Sequence, residues 1–161
     1  MKIVLLGLTG SGKSTTAPKL ADHFKLNLLE ADDEVIRHNK GIWPKDEGTI
    51  DKSFKTTNAK VLTMDNILYV ISWLNKEWLS KFAKAGFNII ELHADMEELI
   101  KRKKRRDNVQ EKELERFRKN YDDYFKVMGN PAIASSFSLS LDTTNLSPEE
   151  TYFRIVANIK S

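Results

Sequence analysis

Gly7-Leu8-Thr9-Gly10-Ser11-Gly12-Lys13-Ser14 follows the apolar run Ile3-Val4-Leu5-Leu6 and leads into Thr15 and Thr16. The spacing is G-x-x-x-x-G-K-S between a strand and a helix, the pattern of a phosphate-binding loop. Each residue type answers to a physical need. Gly7, Gly10 and Gly12 let the backbone wrap closely around an anion, so that successive amides point inward. The N-terminus of the following helix adds a favourable field. Lys13 reaches toward the β- and γ-phosphates, and the Ser14 hydroxyl is a ligand for Mg²⁺. Thr9, Ser11 and Thr15 complete the loop's contact surface for a nucleoside triphosphate.

The rest of the chain is consistent with one α/β domain spanning residues 1–161. At 161 residues it is long enough for one core and short for two. It contains no cysteine, which excludes disulfides, thiol catalysis and cysteine-held zinc. No apolar run approaches the ~20 residues of a membrane span. The first strand begins at once, so no leader is expected and a cytoplasmic protein is. Net charge is +3, and the excess sits mostly in Lys101-Arg102-Lys103-Lys104-Arg105-Arg106.

Outward from the loop, apolar runs alternate with helical spacing, the signature of a mainly parallel sheet. Ala17, Leu20, Ala21 and Phe24 mark a helix, and residues 26–29 a second strand. Residues 39–52, with Gly41, Pro44 and Gly48 among charges, read as a loop or lid. A helix is expected over 54–64, and strands over 67–71 and 88–92. Leu74, Trp78 and Phe82 give the helix between those strands its apolar face. Asp95 and Glu98 have capping-box spacing for a helix over 96–106. A longer helix runs from about 111 to 128, ended by Gly129 and Pro131. The last strand is expected over 137–141, and Ser147-Pro148-Glu149-Glu150 starts the final helix.

Ligands of such sheets sit outside the carboxyl ends of the strands. The second strand ends in Glu30-Ala31-Asp32-Asp33. A carboxylate there, Glu30 first, can serve Mg²⁺. Asp32 can position an attacking hydroxyl or take its proton. Helix capping by Asp32 or Asp33 is the competing explanation. The third strand ends at Ser72-Trp73 with no acid of its own. Arg102 and Arg106 share a helix face, where guanidinium forks suit phosphate oxygens, although bases at a helix C-terminus also simply complement its dipole. Asp142-Thr143-Thr144 after the last strand is either a wall for the nucleotide base, through Thr143, or a turn. The three histidines show no metal-ligand spacing. Trp43 and Trp73 are the tryptophans placed to meet a ligand.

Taken together, the chain resembles the small P-loop kinases of the adenylate, shikimate and gluconate kinase group over its whole length. The resemblance is carried by residues 7–15, Glu30-x-Asp32, the Arg102/Arg106 pair and Leu141-Asp142-Thr143-Thr144. It implies a three-layer α/β/α P-loop NTPase fold with a five-stranded sheet, a short helical lid at about 106–118 and an acceptor region at about 32–60. It implies ATP and Mg²⁺, with Lys13, Asp32, Arg102 and Arg106 catalytic. Arg102 would lie by the adenine and Arg106 by the phosphates. The chain departs from the group in lacking the glycine triplet that follows the third strand in shikimate kinases. It also lacks the Asp-Gly-x-Pro-Arg lid opening of common adenylate kinases. The expected activity is transfer of the ATP γ-phosphate to a nucleoside, nucleotide or small hydroxyl compound by a monomer or homodimer. The rivals are an acceptor-free NTP hydrolase switch and a polynucleotide end kinase using the basic run.

Overall fold

Residues 1–107 and 109–159 are described by a computed structural model. Five strands, β1 (Lys2–Leu6), β2 (Asn27–Glu30), β3 (Ile67–Ile71), β4 (Asn88–His93) and β5 (Leu139–Asp142), form one sheet in the order β2-β3-β1-β4-β5. All four neighbour pairs are parallel, with Leu6 level with Ile71 on one side and Glu91 on the other. Parallel strands need crossovers; of the eight helices among the described residues seven lie between strands and supply them, and the last follows β5. The helices are α1 (Lys13–Phe24), α2 (Ala31–His38), α3 (Glu47–Leu62), α4 (Lys76–Lys84), α5 (Met96–Arg106), α6 (Glu111–Met128), α7 (Pro131–Ala134) and α8 (Pro148–Asn158).

The central strands β3, β1 and β4 are buried on both faces, as their apolar runs require, while the edge strands β2 and β5 are partly exposed. On one face Ile3, Leu5, Leu68, Val70 and Ile90 meet Ala17 and Leu20 of α1 and Ile155 of α8. On the other, Val4, Leu6, Ile67, Tyr69 and Ile89 meet Val61 of α3, Phe82 of α4 and Tyr124 of α6. Deep in that second layer the Tyr69 hydroxyl donates to Asn58 Oδ1 at 2.7 Å. A smaller cluster ties α5 to α6 through Leu99, Ile100, Leu114 and Phe117. The stretch 106–118 is thus the end of one helix and the start of the next, apart from Asn108, which lies outside the described residues.

Several boundaries differ from the sequence expectation, each for a local reason. Helix α3 starts at Glu47, not near residue 54, because the Asp46 side chain accepts from the Thr49 N–H at 2.7 Å. Gly48 and the surrounding charges concealed that cap. Strand β2 begins one residue late, after Lys25 adopts a left-handed conformation that ends α1. Strand β5 begins at Leu139 because α7, absent from the sequence reading, takes up 131–134 and a further turn carries the chain to Phe137. The capping box expected at α5 does not form. Asp95 holds the N-cap place without a side-chain bond, and Glu98 turns instead to Arg102, Oε1 to Nε 2.9 Å. The box at Ser147 and Glu150 is present.

The end of β1 is where the fold and the loop constrain each other. A Cβ built on Gly7 would lie 2.1 Å from the Leu92 carbonyl oxygen of β4. Only a residue without a side chain lets β1 approach β4 this closely while the chain turns into the loop. Gly7→Ala should therefore lower the unfolding free energy by about 1–3 kcal/mol or more, read as a fall in the urea midpoint with an unchanged slope.

Candidate active site

Helix α1 leaves β1 toward one face of the sheet and α4 leaves the adjacent β3 toward the other. The chain ends of β1 and β3 therefore diverge and open a crevice. A cavity of about 550 Å³ lies there. Its floor is the loop from Thr9 to Thr16, and its walls are Glu30 and Asp32 after β2, Ser72 after β3, four residues of α5, and Thr143 after β5. Of the residues singled out in the sequence, Thr9, Gly10, Ser11, Gly12, Lys13, Ser14, Thr15, Glu30, Asp32, Arg102, Arg106 and Thr143 all line it. Gly7 does not. Its place is underneath, pressed on Leu92, with its carbonyl accepting from Lys13.

The loop has the conformation its glycines allow. Gly10 and Gly12 have φ of 88° and 102°, and Gly12 is the N-cap of α1. Among the described residues nothing accepts a bond from the N–H groups of Gly12, Lys13, Ser14 or Thr15. Four amides at one helix start thus remain for an anion. The buried hydroxyls of Ser11 and Thr16 are also without a partner among the described residues, in keeping with a site that completes its bonding with a ligand.

Lys13 folds back over the loop, its Nζ donating to the carbonyls of Gly7 and Leu8, the latter at 3.1 Å. It is only 7% exposed. Burial pushes its pKa down to about 8, against the pull of Asp32 and Glu30 and with a further push from Arg106. Asp32 and Glu30 are both raised, chiefly by burial. Asp33 and Asp32 reinforce the rise at Glu30, whereas Lys13 opposes it at Asp32. Lys13, Glu30, Asp32 and Arg106 thus share one space, the cavity they all line.

The capping explanation for the acids after β2 fails. Glu30 occupies the N-cap place but makes no side-chain cap bond. The local cations Arg37 and Lys60 are taken by Glu34. Ser14, Glu30 and Asp32 offer hard oxygen donors on one cavity, the donor type Mg²⁺ prefers. No three acidic or histidine side chains among the described residues could hold a metal unaided.

Arg102 is the residue whose surroundings differ most from expectation. Its guanidinium donates to Glu98, to the carbonyls of Gly10 (3.2 Å), Thr143 (2.6 Å) and Thr144 (3.3 Å), and to Thr143 Oγ1 (3.2 Å). Arg106 pairs with Asp107 at 2.8 Å and lines the cavity beside Arg105. The basic run is partly neutralised, with Lys101 held by Glu98 and Lys103 by Asp107. Arg105 and Glu98 were not singled out from the sequence as site residues, although Glu98 four residues before Arg102 carried the signal. Glu91, inside β4, does not line the cavity. It is buried, accepting from Tyr124 at 2.9 Å and Ser140 at 2.6 Å. Trp73 is 40% exposed and meets Tyr124 edge-on at 5.7 Å.

Comparison with known proteins agrees with this geometry. No protein-family model matches the chain. It is similar to a shikimate kinase of Enterococcus faecalis, 28% identical over 171 aligned positions that cover 98% of each. Among solved structures it superposes on Acinetobacter baumannii shikimate kinase in complex with shikimate, with a TM-score of 0.73 and 18% identity, covering 96% of this chain and 90% of that one. It also superposes on a gluconokinase from Sinorhizobium meliloti 1021 at 0.70 and 16%, covering 98% and 90%. Fold, loop and relatives together define a P-loop kinase. Within that class it is similar to shikimate kinase in sequence and fold, and to gluconokinase in fold. No helix among the described residues is long and apolar enough to cross a membrane.

The buried ammonium of Lys13 has a measurable consequence. Its pKa drops from 10.5 to about 8 on folding, so between those values the unfolded chain holds the extra proton and stability rises with pH. At neutral pH the charge costs about 3 kcal/mol. Between about pH 7.5 and 9.5 the ligand-free protein should gain roughly 2 kcal/mol in urea melts, a gain absent from Lys13→Met.

Proposed function

We propose that this kinase transfers the γ-phosphate of ATP, with Mg²⁺, to a hydroxyl of a small acceptor. The observation carrying this is the meeting of Lys13, Ser14, Glu30 and Asp32 on one cavity, with both carboxylates free of ion pairs among the described residues. Lys13 and the amides of residues 12–15 hold the β- and γ-phosphates. Ser14 and Glu30 hold the metal, Glu30 directly or through water. Bound Mg²⁺ supplies neutralisation of charge on the phosphate oxygens. Asp32, kept unpaired and raised by burial, accepts the proton of the acceptor hydroxyl as its oxygen bonds to the γ-phosphorus and ADP departs. Arg106 stabilises charge on the moving group from the α5 side. Residues 106–118 act as the short lid.

The acceptor enters between residues 32–60 and the Ser72-Trp73 strand end. Names of the relatives point to a small hydroxylated acid, for which shikimate and gluconate are the first compounds to offer. The chain lacks the glycine triplet after β3, and Ile71 and Ser72 line the cavity at that strand end. Release of ADP should depend on the acceptor. Asp32→Asn should lower kcat roughly 10²–10⁴-fold with ATP binding retained, and Lys13→Ala should abolish transfer. A coupled ADP assay over hydroxy acids, polyols, nucleosides and nucleotides tests the reading. Equal ADP release with no acceptor present, or full turnover in Asp32→Asn, would overturn it.

A further inference from the structure

The bonding of Arg102 and Thr143 points to work done behind the phosphate loop. Thr143 is almost fully buried. Its N–H donates to the His93 carbonyl at 2.7 Å, which fixes it at the end of β4. Its hydroxyl lies 3.1 Å from the Ser11 carbonyl and 3.0 Å from that of His93, and accepts from Arg102 Nη1 at 3.2 Å. The same Nη1 reaches the Gly10 carbonyl at 3.2 Å. The hydroxyl has one proton, and the His93 carbonyl already accepts the Thr143 N–H, so donation to Ser11 satisfies both carbonyls and ties two consecutive carbonyls of the loop to groups outside it.

A trans peptide points its C=O and the next N–H in opposite directions. With the Ser11 carbonyl tied back, the Gly12 N–H is turned away from Thr143, and among the described residues nothing accepts from it. With the Gly10 carbonyl tied back, the Ser11 N–H turns into the loop and closes on Leu8 at 3.1 Å. Glycine peptides rotate at little cost, and a rotated one would present its oxygen to a phosphate. The guanidinium has its Nε on Glu98 and its Nη atoms on Gly10, Thr143 and Thr144. Its bonding is thus complete without a nucleotide.

We infer that Arg102 and Thr143 are positioning residues that brace the phosphate loop from behind, holding the Gly10 and Ser11 carbonyls out so that the loop keeps the turn in which the amides of residues 12–15 face the triphosphate. This rests on the nucleotide reading above.

The test separates phosphate from base. Inorganic tripolyphosphate with Mg²⁺, and adenosine, are titrated calorimetrically into the full chain and into Thr143→Val, Thr143→Ser and Arg102→Lys, each first shown to melt cooperatively. Thr143→Val should weaken tripolyphosphate roughly tenfold or more and leave adenosine unchanged, and Thr143→Ser should restore the affinity. Arg102→Lys, with the charge kept but the fork lost, should weaken tripolyphosphate as well. Wild-type tripolyphosphate affinity in Thr143→Val or Arg102→Lys would overturn the brace, as would a loss confined to adenosine. A wild-type protein that binds neither tripolyphosphate nor ATP would overturn the nucleotide reading and the brace with it.

Discussion

An ammonium held nearly out of water against the carbonyls of Gly7 and Leu8 is the interaction on which this site turns. A buried cation is costly unless it is bonded and balanced. Here the bonding comes from the turn of the loop itself, and the balance from Asp32 and Glu30 across the cavity. Among the described residues neither carboxylate is in an ion pair, although other acids are tied to lysine and arginine, so the charges face each other over a gap. Such a gap is suited to a polyanion carrying its own metal, which would give each group a closer partner than the protein does.

The scaffold makes that arrangement possible through one tight contact. Strand β1 ends against β4 with Gly7 over the Leu92 carbonyl, and Leu6 is level with Glu91. From there the loop rises as a turn, and α1 starts with its first amides unspent. Helix α5 returns from β4 to the same point, so that Arg102 closes on the back of the loop and Arg106 reaches its open side. One helix thus serves the loop from two directions, four residues apart.

Much of the fold was legible because it rests on local rules. Alternating apolar runs and helical spacings gave five parallel strands, and Ser147-Pro148 announced the last helix. The boundaries that moved were set by bonds too short in range and too weak in pattern to stand out. Asp46 capping α3 behind Gly48 is one, and the single turn of α7 is another. At α5 the spacing of Asp95 and Glu98 fitted two outcomes, a capping box or an i,i+4 pair with Arg102. A cap is worth about 1 kcal/mol, and here the arginine, with further acceptors waiting on other elements, took the carboxylate.

By itself the sequence determined that an anion cradle lies at the first strand–helix junction, since glycine spacing, lysine and hydroxyl residues act within eight positions. It also put Glu30 and Asp32 at the cradle's end of the sheet, because parallel strands carry all their carboxyl ends on one side. Only the tertiary structure decided what Arg102 and Thr143 touch. Their partners, Gly10 and Ser11, are 92 and 132 residues away in the chain, and no periodicity encodes a hydrogen bond over that distance. The packing of α5 and the β5–α8 connection against the loop brings them together, through the complementarity of guanidinium and hydroxyl donors with backbone carbonyls.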